Sequence, residues 1–165
     1  MKRKVRKKEI KMRVEKKLQE MGLELPEAAA PAGVYVLARR VGNLLYLAGQ
    51  TAHVKGVVQV SGVVGKDLTV EEGQEGARLS ALNILSVLKS ELGDLDKVRQ
   101  FVQMIGYVRC TEDFGTYTEV VDGASMLLQE LYGASGLAAR MTIGTNELPG
   151  GSVTEIMTVV EVEDM

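Results

Sequence analysis

The chain has 165 residues, 45% of them hydrophobic and 25% charged, the size and balance of one globular domain around one core. A single cysteine, Cys110, excludes an internal disulfide and fits a reducing, cytoplasmic setting. No apolar run approaches the roughly 18 residues needed to cross a bilayer, and the basic N-terminus lacks the apolar stretch of a signal peptide, so no membrane partner is expected.

The net charge of −2 conceals an asymmetry: residues 2 to 17 hold 10 of the 20 lysines and arginines, whereas beyond Glu20 there are 10 basic residues against 19 acidic ones. The basic run predicts a helix with one narrow apolar stripe, Val5, Ile10, Val14, Leu18 and Met21, docked on the domain with its charges in solvent. A cationic arm on an acidic body also suits RNA or another acidic surface, although no aromatic residue interrupts the run to stack on bases. Gly22, Pro26, Pro31 and Gly33 then break the helix. They divide the chain into a basic helix with its linker, residues 1–33, and a domain over residues 34–165.

"VYVLARRVGNLLYLAGQ" reads as two strands around a Gly42-Asn43 turn. "TAHVKGVVQVSGVVGKD" reads as a loop with one short strand, and its glycines lack the Gly-Lys-Ser/Thr ending of a phosphate loop. Thr69 followed by Glu72 is a capping-box pattern, and Gly93 is the stop of the helix it opens. Ala77, Ala81, Ile84, Leu85, Leu88 and Leu92 form the apolar stripe of that helix, with Gly73 and Gly76 allowing close approach to a sheet. A long strand follows around Val98 to Val108, then a second helix from about Phe114 to Tyr132, ended by Gly133. "ARMTIGTNELPGGSVTEI" closes the chain as a hairpin with a Pro-Gly-Gly turn. The sum is an α+β domain, a mixed β-sheet with two helices packed on one face.

Strand alternation places Glu155 on a face with Val153, Met157 and Val159. A carboxylate among apolar neighbours needs a partner. Arg140, sharing its own face with Thr142, is the partner the hairpin offers, either as a structural salt bridge or as part of a site. His53 is the only histidine and reads as a surface or loop-capping residue; alone it supports neither a Ser-His triad nor a multi-histidine metal site. Cys110 reads as a small packing residue.

The string "ARMTIGTNELP" with Glu155 beyond it resembles the C-terminal signature of the Rid family, also called YjgF/YER057c/UK114 or endoribonuclease L-PSP. "GVYVLARRVGNLLYLAGQ", "VGKDLTVEEGQEGARLSALNIL" and "GDLDKVRQFVQMIGYV" extend the resemblance from about residue 12 to residue 163. The resemblance implies a chorismate-mutase-like fold and a homotrimer with clefts between subunits. It also implies hydrolysis of reactive enamines and imines, such as 2-aminoacrylate, to 2-oxo acids and ammonia, without metal or organic cofactor. In that scheme Arg140 holds the substrate carboxylate with its two-pronged fork, and Glu155 orients or polarises water. Tyr35 walls the cleft, while Ala48, Gly49 and Thr142 line it. The chain departs from many deaminase members in carrying Thr142 in place of a cysteine and Ala48 in place of a serine. Two other readings stand beside deamination: a non-catalytic trimer that binds small carboxylates, and an RNA-cleaving or RNA-binding protein that uses the basic arm.

Overall fold

The computed structural model describes residues 12–164; Val5 and Ile10 of the expected stripe lie outside them. The strongest local signals are realised where the sequence places them. Helix α2 (Val70–Leu92) is capped by Thr69, whose Oγ1 accepts from the Glu72 N–H at 3.2 Å while Glu72 Oε2 accepts from the Thr69 N–H at 2.8 Å. It ends at Gly93 with φ 74°, a left-handed geometry that a side chain would strain. Helix α3 (Tyr117–Tyr132) begins at Tyr117 rather than Phe114 because the preceding residues form a turn, in which the Phe114 N–H donates to the Thr111 carbonyl.

The sheet runs in the order β1 (Ala38–Val41), β2 (Leu44–Leu47), β8 (Thr154–Val162), β6 (Val98–Arg109), β7 (Ala139–Thr145), with β3 (Gln50–Thr51) also paired to β8. The hairpin at Gly42 is present, though its first strand starts at Ala38 and not Val34. The single short strand expected after Gln50 is instead a small ribbon of β4 (His53–Val54) and β5 (Val57–Val58), turned at Lys55 and Gly56, which both have positive φ.

The closing segment is not a hairpin. β7 pairs in parallel with β6, and β8 pairs antiparallel with the other edge of β6, so a whole strand separates β7 from β8. The α3 crossover delivers β7 to the outer edge of the sheet. The turn at Pro149–Gly151 only returns the chain to the middle.

Both helices cover one face. A Cβ on Gly106 of β6 would lie 2.7 Å from Val121 of α3. Gly76 of α2 abuts Val153 beside β8, whereas Gly73, expected to face the sheet, abuts Val120 of α3. Ile84, Leu85, Leu88, Leu127 and Leu128 are fully buried between these layers. Helix α1 (Arg13–Glu20) adds Val14 and Leu18 to the same core and is fixed by Glu15, whose carboxylate accepts from Lys89 Nζ at 2.7 Å. The opposite face of the sheet exposes Val41, Tyr46, Met141 and Met157. Among the described residues no helix is long and apolar enough to cross a membrane.

Candidate functional site

Which face a residue takes follows from the register. Gly106, whose missing side chain makes room for α3, stands opposite Ile156 of β8 and Thr142 of β7. Arg140 and Thr142 therefore point toward the helices. Glu155 pairs with Tyr107, one residue on, and points to the open face. The expected Arg140–Glu155 contact does not form, because the two residues occupy opposite faces of strands that are not neighbours.

Arg140 has other partners. Its Nη2 lies 2.8 Å from Asp122 Oδ1 and also donates to the Thr118 carbonyl at 3.3 Å, while its Nη1 donates to Ser125 Oγ at 2.8 Å. All three partners belong to α3, and the arginine side chain is only 17% exposed.

Glu155 is half-buried and, among the described residues, its carboxylate has no hydrogen bond or ion pair. Loss of solvent pushes its pKa up from the ordinary 4.5, making it a weaker acid. It borders a cavity of about 590 Å³ whose walls include Tyr35, Leu37, Ala48, Gly49, Gln50, Thr51, His53, Val58 and Pro149. Four of the residues singled out from sequence, Tyr35, Ala48, Gly49 and Glu155, thus meet in one cleft, and Arg140 and Thr142 do not line it. Gly49 is needed for contact: a Cβ there would lie 2.5 Å from Glu155 Oε1. The Tyr35 hydroxyl accepts from the Ala32 N–H at 3.1 Å, bending the linker over the opening.

Sequence reasoning missed His53. Its Nδ1 lies 3.0 Å from Thr51 Oγ1, and Thr51 is the cross-strand partner of Glu155. Asn83, buried on α2, donates to the carbonyls of Thr51 (3.0 Å) and His53 (2.8 Å), fixing this segment from the core side. The available signal was the two-residue period from Thr51 to His53, which keeps both side chains near one face.

Elsewhere the chemistry is occupied. Cys110 is half-buried, and burial pushes its thiol up, away from the reactive thiolate. The acidic trio Glu15, Asp94 and Asp96 is engaged by Lys89, Arg13 and backbone N–H groups.

A family model described as "YjgF/chorismate_mutase-like, putative endoribonuclease" matches residues 15–162. The chain is 37% identical to Protein TCP17 of Trypanosoma cruzi over 92% of this chain and 96% of that one. The crystal structure of Atu1372 from Agrobacterium tumefaciens superimposes with a TM-score of 0.85 at 38% identity, covering 91% of this chain and 92% of the other. TdcF of E. coli, solved with bound serine, shares the fold with a TM-score of 0.57 at 18% identity, covering 84% and 93%.

Proposed function

The chain belongs to the YjgF/chorismate mutase-like family, and from that membership and the chemistry of the cleft we propose that it is an enamine/imine deaminase. The observation that carries the reading is Glu155, a half-buried carboxylate without a partner among the described residues, at the wall of a cavity of small-molecule size. A protonated imine is a cation, and an unpaired carboxylate in a partly desolvated cleft attracts it. The same carboxylate accepts a proton from water as the water oxygen attacks the imine carbon. Its raised pKa brings it nearer the working pH, so it both takes the proton and returns it to the departing nitrogen. Gly49 leaves room for the carboxylate, the Thr51 strand pairs with the backbone that carries it, and Tyr35 lines the cleft. TdcF, similar in fold, holds serine, which supports a small-molecule ligand for this architecture. The open sheet face with Val41, Tyr46, Met141 and Met157 suits burial in a homotrimer, and sedimentation at about three times the 17.9 kDa chain mass checks that assembly.

The test is ammonia release from imines generated in situ by an amine or amino-acid oxidase. Wild-type protein accelerates release, and Glu155→Gln abolishes the acceleration with the fold retained. Wild-type protein that leaves every imine at its spontaneous rate overturns the reading.

A further inference from the structure

We infer that His53 is a second catalytic residue of the cleft, the base that takes the last proton from the attacking oxygen while Glu155 serves the nitrogen. The inference rests on the deaminase reading and gives that reaction a residue it does not yet include.

His53 is the one histidine of the chain, and it lines the same cavity as Glu155. Two side chains fix it there. Thr51 Oγ1 lies 3.0 Å from its Nδ1, which orients the ring and leaves the chemistry to Nε2. From the core side Asn83, 2% exposed on α2, donates to the Thr51 carbonyl at 3.0 Å and to the His53 carbonyl at 2.8 Å. A buried amide that spends both N–H groups on one short segment satisfies itself and fixes that segment against the helix. Asn83 and Thr51 are positioning residues, and His53 is what they position.

Thr51 also relates the two proton carriers. It is the cross-strand partner of Glu155 and is hydrogen-bonded to His53. The Glu155 carboxylate lies over Gly49, two residues before Thr51, and the imidazole stands two residues after it. Carboxylate and imidazole thus border one cavity from the two sides of Thr51. All of these groups belong to one chain.

Hydrolysis of an imine takes two protons from one water, and its oxygen and nitrogen leave the carbon in different directions. The water oxygen bonds to the imine carbon as Glu155 takes the first proton and the C=N electron pair moves to nitrogen. Glu155 passes that proton to the nitrogen. The C–N electron pair then leaves with ammonia, the O–H electrons form the carbonyl, and His53 Nε2 takes the hydroxyl proton. His53 gives this proton to ammonia, so an iminium ion and water yield a carbonyl compound and ammonium, with no redox partner. Histidine is the side chain most often used for such a transfer.

Two substitutions in the full chain test the assignment. His53→Ala removes the imidazole, while the carbonyls that Asn83 holds are backbone and remain. His53→Gln keeps a polar group that cannot carry the proton. With imines generated in situ, each variant is expected to lose about 100-fold in kcat with KM and thermal midpoint unchanged. Added imidazole should restore the His53→Ala rate saturably, above the rate imidazole gives without protein, and leave Glu155→Gln inactive. A purely structural role gives no such rescue. Wild-type kcat in either variant overturns the inference and leaves the deaminase reading standing. The same holds for a loss confined to KM, and for a loss that imidazole does not restore. Wild-type protein that accelerates no imine removes the deaminase reading itself, and the role of His53 with it.

Discussion

Gly49→Ala isolates the position of the Glu155 carboxylate from its chemistry. The added methyl would stand 2.5 Å from Oε1 and 3.0 Å from both Cδ and Cγ, whereas ordinary contact begins at 3.4 Å, so the carboxylate must retreat by about 0.9 Å. Gly49 is not among the positive-φ glycines, so alanine brings no backbone strain there. Glu155 is half-exposed and its side chain is free to rotate away, which spares the fold. A misplacement of about 1 Å at a reacting group costs about 100-fold, or about 2.7 kcal/mol of barrier. Gly49→Ala should therefore lower kcat/KM for imine hydrolysis by about two orders of magnitude while the thermal midpoint stays within a few degrees of wild type. Full activity in the variant would refute the assignment of Glu155 to the reaction, since the group would then tolerate displacement. A large drop in midpoint would refute the claim that the side chain yields without the backbone.

Glu155→Gln should change the pH dependence of stability in a defined direction. Burial raises the folded pKa above 4.5, so the carboxyl is protonated in both states below that pH and costs nothing; as pH rises through the folded value, ionisation in the cleft destabilises the native state. The glutamine variant should melt higher than wild type at neutral pH and lose that advantage below pH 4.5, as thermal scans at the two pH values will show. At the crossing of α2 and α3, Gly123→Ala would press a methyl into the backbone carbonyl of Gln74. Overpacking against backbone belongs at the top of the range of about 1–3 kcal/mol, above the gain of about 1 kcal/mol from alanine's helix propensity. Calorimetry should show a net loss of about 2 kcal/mol, a drop of about 4–8 °C for a domain of this size.

What the sequence determined by itself is what a few neighbouring residues decide. The Thr69–Glu72 cap and the Gly93 stop are contacts within one helical turn, so their spelling is sufficient. The same holds for the Gly42 turn and for the alternation that sets Glu155 apart from Ile156. Tyr35, Ala48, Gly49 and Glu155 were legible as a group because the family signature carries them, and the cleft unites them. Only the tertiary structure decided the fate of Arg140. Pro149, Gly150 and Gly151 spell a tight turn, and a turn says nothing about which strand its exit will pair with; α3 and β6 settle that from far along the chain. With β6 placed between β7 and β8, the arginine and the glutamate fall on opposite faces, and Asp122, 18 positions before Arg140, becomes its partner. His53 enters the cleft for the same kind of reason: its local sequence describes a loop, and only the pairing of Thr51 with Glu155 aims that loop at the carboxylate. Local chemistry fixes conformation within a few residues, but long-range pairing fixes which charges meet.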